Sequence, residues 1–207
     1  MTLIREIDYG TPASKAEAMV TLTIDGEAVT VPAGTSIMRA AMMMGTEIPK
    51  LCASDMLESF GSCRVCLVEI EGRAGTPASC TTPVAEGIVV HTQTERLARI
   101  RRGVMELYAS DHPDHGLTDP AAAVSEMRDV AAAVGLGEVR YAPGANHVAA
   151  ECFDASNPLH MAMDGSNPYF VYDPAKCIVC YRCVRACDEV QGTYAVSYTH
   201  LTLPTKA

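Results

Sequence analysis

The chain has 207 residues, 48% of them hydrophobic, with 11 Met, three Phe and no Trp. That is enough for one large domain or two or three small ones, with modest cores packed largely by aliphatic side chains and Met. A formal net charge of −9 argues against nucleic acid as a partner, no apolar run approaches the roughly 20 residues that cross a bilayer, and the N-terminus lacks the apolar stretch of a secretory signal.

Residues 1–18 read as a flexible leader. From Val20 the pattern changes: Val20, Leu22 and Ile24 alternate, Asp25-Gly26 marks a tight turn, and Val29 and Val31 resume the alternation, which predicts a β-hairpin. After Pro32, Ala33 and Gly34, Thr35 or Ser36 offers an N-cap to a helix carrying Ile37, Ala40, Ala41 and Met44 on one face, with Gly45 at its stop. A cysteine loop follows. CLVEIEG (66–72) alternates as a strand, and Ile88, Val89 and Val90 predict a closing strand. Residues 19–97 thus read as a small α+β domain. Leu97, Ile100, Val104 and Leu107 recur at helical spacing, with Arg96, Arg99 and Arg102 on the other faces as a solvated surface. A second helix is predicted over about 121–134, inside a helical segment 98–145. An irregular linker at 146–170 leads to a second cysteine-rich segment, 171–196.

Nine cysteines in a chain that reads as cytoplasmic point to metal or redox chemistry rather than to a disulfide framework. Cys52, Cys63, Cys66 and Cys80 are spaced C-x10-C-x2-C-x13-C. Structural zinc takes two short knuckles, and only Cys63 and Cys66 form one here. A plant-type [2Fe–2S] ferredoxin has a related arrangement, with several Cys on one loop and one remote Cys. Gly61 permits close backbone approach, and no proline removes an N–H between Cys63 and Cys66. Cys177, Cys180, Cys183 and Cys187 form C-x2-C-x2-C-x3-C, the run of bacterial [4Fe–4S] ferredoxins, whose fourth Cys serves another cluster. No second run follows it. Cys152 reads as a small semi-buried side chain. His91, His147, His160 and His200 form no triad with a carboxylate or Cys, so no catalytic residue is predicted.

The text KLCASDMLESFGSCRVCLVEIEGRAGTPASCTTPV resembles the N-terminal [2Fe–2S] domain, a β-grasp ferredoxin, shared by the large peripheral subunit of respiratory complex I and the α subunit of NAD-dependent molybdenum formate dehydrogenase. SFGSCRVCLVEIEGR, TPASCTTPV and VVHTQTERLARIRRGVMELYASDHP look closer to the latter, and the likeness runs from about Val20 to Val196. It implies that Cys52, Cys63, Cys66 and Cys80 ligate a [2Fe–2S] cluster. It also implies that Cys177, Cys180, Cys183 and Cys187 belong to a [4Fe–4S] segment, incomplete without the cysteines that follow in the relatives.

The family's middle cluster takes one His and three Cys. Here His112 fills the His position, but Gly116, Asp119 and Ser125 stand where the Cys would be, so no cluster is expected there, and the nearby His115 reads as a loop residue. The last residues, 197–207, match nothing in the family and are expected to be non-native, with the chain truncated before the molybdopterin domain of its relatives. The resemblance implies an electron-transfer fragment, without a catalytic site of its own, that passes electrons from formate oxidation towards NAD reduction in flavin/NAD-binding, diaphorase-type partner subunits. A complex I or hydrogenase diaphorase subunit and a non-redox zinc-binding docking module are the alternatives.

Overall fold

The computed structural model describes residues 7–111, 126–141, 165–169, 171 and 177–194. His112, His115, Gly116, Asp119, Ser125, His147, Cys152, His160, His200 and the segment 197–207 lie outside them. The chain divides into two compact units, residues 1–101 and 102–207.

The first unit is built on the hairpin that the alternation predicts. Strand β1 (Met19–Ile24) pairs antiparallel with β2 (Glu27–Pro32), placing Leu22 opposite Val29 and Ile24 opposite Glu27. Asp25 (φ 49°) and Gly26 (φ 91°) both take the left-handed conformation, as a two-residue turn matching strand twist requires. Helix α1 (Ile37–Met43) is capped by Ser36, whose Oγ accepts from the Arg39 amide at 3.1 Å, and it ends at Gly45, with φ 88°. Strands β3 (Glu69–Ile70) and β4 (Val89–His91) complete a mixed sheet in the order β2-β1-β4-β3, with β1 parallel to β4 and β4 antiparallel to β3. Leu22, Ile24, Val31, Ile37, Val68, Val90 and Leu97 form its core, and Cys66 and Cys80 are part of the same apolar cluster. Truncating a core side chain such as Leu22 to Ala costs ~2–5 kcal/mol.

Three expectations need correction here. The strand predicted at 66–72 shrinks to Glu69–Ile70, because the backbone of residues 66–68 bonds elsewhere: the Val68 amide donates to the Pro77 carbonyl at 3.0 Å. The supposed flexible leader is docked from Asp8 onwards. Thr11, 3% exposed, shares a 2.7 Å hydrogen bond with Ser36 Oγ, Arg39 lies over the Tyr9 ring, and Asp8 accepts from Lys50 and from the Gly10 and Asp55 amides. These are polar contacts without periodicity, so hydropathy does not announce them. Third, helix α2 (Glu95–Asp111) buries Leu97, Arg101, Met105 and Ala109, a stripe at four-residue spacing, whereas Leu107 is exposed.

In the second unit, α3 (Glu126–Ala133) buries Met127 and Ala131. The Glu106 carboxylate, buried on α2, is gripped by exposed Arg140, whose Nη2 lies 2.7 Å from Oε2 and whose amide donates to Oε1 at 2.8 Å. A single turn, α4 (Arg182–Arg185), runs into a π-helical stretch, Ala186–Val190. No described helix is long and apolar enough to cross a membrane.

Candidate iron–sulfur site

Cys52, Cys63, Cys66 and Cys80 come together in the first unit, each 2% exposed or less. The sulfurs of Cys52 and Cys63 lie 3.4 Å apart, as do those of Cys66 and Cys80. Cys63 also interacts with Cys66, and Cys80 with Cys52, which closes a ring of four thiols.

Secondary structure fixes that ring from both sides. The Ser79 amide and hydroxyl both donate to the Cys66 carbonyl, at 3.0 and 2.7 Å, locking the segment before Cys80 against Cys66. Ser79 and Thr82 carbonyls accept from the Met38 and Ile37 amides, so the same segment is pinned to the start of α1. Gly61 takes φ 69°, and a Cβ there would sit 3.0 Å from Thr81 Cγ2. Arg64, between Cys63 and Cys66, is also left-handed at φ 56°, an uncommon conformation for a side-chain-bearing residue that turns the following amide inwards. The Val65 amide then donates to Cys63, the Cys63 amide to Cys52, and the Cys80 amide to Cys66.

Protonation alternates round the ring. Hydrogen bonds from Cys63 and then Cys80 hold Cys52 far below the ordinary thiol range, and the same two neighbours bring Cys66 down to about 3. Cys63 and Cys80, donating to those thiolates, are pushed far up. Metal ligation requires all four as thiolates, so loading the site releases protons from the ring. Among the described residues, no three His, Cys, Asp or Glu side chains surround one single-ion position. The four thiols instead neighbour one another pairwise, a donor set suited to two irons with two thiolates each. The Ser62 hydroxyl is buried in this loop and is directed towards Cys52, where it adds to the lowering of that thiol.

Residues 17–95 match the family of 2Fe-2S iron-sulfur cluster binding domains. NADP-reducing hydrogenase subunit HndD of Solidesulfovibrio fructosivorans is 36% identical over 179 residues, which are 84% of this chain and 28% of the relative. The mitochondrial NADH-ubiquinone oxidoreductase 78 kDa subunit of Candida albicans is 33% identical over 184 residues, 89% of this chain and 24% of the relative. A crystal structure of an NAD+-reducing [NiFe]-hydrogenase in the H2-reduced state superposes with a TM-score of 0.68 at 30% identity, over 86% of this chain and 69% of that one. Residues 17–95 of this chain belong to that 2Fe–2S iron–sulfur cluster binding family. The family's small mixed-sheet domain and the four-thiol ring coincide in residues 17–95. The chain spans about a quarter of the length of these two curated relatives.

The second cysteine run stands differently. Cys183 is exposed, and Cys177, Cys180 and Cys187 are half-buried. Cys180 Sγ accepts from Arg182 Nε at 3.5 Å, and Cys187 Sγ lies 3.2 Å from Thr193 Oγ1. Burial pushes the Cys177 thiol up, against a hydrogen bond from the Val179 amide. Val179 and Tyr181 are left-handed, at φ 53° and 60°. The run therefore has inward-turned amides like the first loop but not its closed set of sulfur contacts. Two features near the first site escaped the sequence reading: the Ser79 clamp, and Arg101, a buried cation on α2.

Proposed function

We propose that Cys52, Cys63, Cys66 and Cys80 hold a [2Fe–2S] cluster and that the chain is an electron-transfer component of an NAD(P)-linked oxidoreductase. The ring of four buried sulfurs, with backbone amides aimed into it, carries this reading. When bound, the cluster supplies reversible one-electron storage, at a potential near −400 mV in plant-type centres. The chain's own part is to exclude water from the sulfurs, fix their spacing through Ser79 and α1, and donate amide hydrogen bonds that tune them.

Cys177, Cys180, Cys183 and Cys187 are proposed as a [4Fe–4S] segment on the strength of their spacing. The partners are proposed to be flavin/NAD-binding subunits. Formate as the ultimate electron source rests on the resemblance of SFGSCRVCLVEIEGR and the residues after it. The hydrogenase and NADH-ubiquinone oxidoreductase names of the relatives support the complex I or hydrogenase alternative.

Two experiments test these readings. The full chain, reconstituted anaerobically, is expected to bind iron and sulfide with visible bands that dithionite bleaches. A colourless protein holding stoichiometric zinc overturns the electron-transfer reading in favour of a zinc module. The native assembly, purified anaerobically, separates the donors: a reduced [2Fe–2S] EPR signal that appears with formate but not with hydrogen selects the formate reading.

A further inference from the structure

Helix α2 buries a cation without a matching anion. Arg101 is 7% exposed, between Leu97 and Met105 on the buried stripe. Its Nη2 donates at 2.5 Å to the carbonyl of Leu67, the residue after Cys66. Its Nε is buried without a hydrogen-bond partner. Among the described residues no carboxylate stands within ion-pair distance of it. Asp25 is the carboxylate whose charge reaches it, and both Asp25 oxygens are taken by Thr92, at 2.7 and 2.5 Å. Other arginines of this unit have what Arg101 lacks: Arg39 faces Asp55 at 3.4 Å and Arg96 faces Glu69 at 3.2 Å. A guanidinium does not shed its proton when buried, so this charge persists, and a buried charge without a partner is strongly unfavourable. The carbonyl it holds belongs to the residue that follows Cys66, so this charge is seated against the cysteine loop.

We propose that Arg101 is the counter-cation of the iron–sulfur site, placed behind Cys66 to offset the negative charge of the bound cluster and hold its one-electron potential up. This rests on the reading of Cys52, Cys63, Cys66 and Cys80 as ligands. Reduction adds one electron and no proton, so the charge to be balanced grows at that step, and a fixed buried cation favours the reduced form.

The test is an EPR-monitored dithionite titration of the anaerobically reconstituted full chain. At a fixed ambient potential, Arg101→Gln is expected to lower the ratio of reduced to oxidised [2Fe–2S] centre at least tenfold, equivalent to about 59 mV for one electron. Arg101→Lys, which keeps the charge, is expected to stay within about threefold of the wild type, as is Arg99→Gln on the same helix, whose exposed charge water screens. An Arg101→Gln centre that assembles with an unchanged ratio overturns the proposal. If Arg101→Gln takes up no iron, melting of the metal-free chain decides. The proposal requires the metal-free variant to melt no lower than the metal-free wild type, since an uncompensated charge has been removed. A large drop makes Arg101 a residue of the fold and overturns it. A wild-type chain that takes up no iron instead refutes the ligand assignment on which the proposal rests.

Discussion

The two cysteine segments use similar local tricks to different ends. Both place left-handed residues between their cysteines, Arg64 in one and Val179 and Tyr181 in the other, and both aim an amide at the cysteine two positions back. Only the first adds a remote clamp. Ser79 ties Cys80 to Cys66, α1 holds that clamp, and the sulfurs close into a buried ring. The second run has a one-turn helix and a π-helical stretch, and one of its thiols is exposed. Cysteine spacing alone sets the local turns; non-local backbone bonds turn four thiols into a preorganised site.

Substitution of single thiols breaks this comparison most directly. Cys66→Ser is expected to abolish nearly all of the [2Fe–2S] EPR signal, because it removes one of four ligands from a buried ring. Cys183→Ser is expected to leave that signal intact and to remove only iron beyond the two of the first site. Iron and sulfide analysis of both variants checks this, and equal losses would dissolve the distinction between the segments.

A smaller effect sharpens the role of the loop. Gly61→Ala forces a side chain into a left-handed conformation and against Thr81, and is expected to cost about 1–3 kcal/mol, read from denaturant midpoints. Adding Thr81→Ala relieves the contact but not the backbone strain, so recovery should be partial.

The smallest effect lies in the second unit, at Glu106. Two charge-assisted bonds from Arg140 hold its carboxyl down at about 2, against an ordinary 4.5. A depressed acid contributes its stabilisation fully above about pH 4.5 and loses it as pH falls towards 2. Hydrogen-exchange protection of the Arg140 amide is expected to decline across that window, and Glu106→Gln to remove the step. An identical profile in the variant would show that the pair does not hold this segment.

Legibility in the sequence follows the range of the interactions. The hairpin is local: alternation plus Asp25-Gly26 suffices, and β1 and β2 sit where the pattern puts them. The cap at Ser36 and the stop at Gly45 are equally local. The four ligand candidates were readable from spacing and loop chemistry. The short β3 was not, because whether residues 66–68 join the sheet or the Pro77–Ala78 segment is decided by distant backbone. Arg101 was hidden for a different reason: on a helix dense with arginines, a charged residue reads as solvated unless something anionic waits inside.

The seating of residues 8–14 bears on how this protein is handled at the bench. A Cβ on Gly10 would meet Met38 Sδ at 2.5 Å, and Ser14 Oγ donates to the Ala33 carbonyl. An expression boundary drawn at the first strand, where hydropathy begins to speak, amputates a clasp over helix α1 and uncovers the hydroxyl that caps it. A minimal soluble piece should start upstream of Asp8.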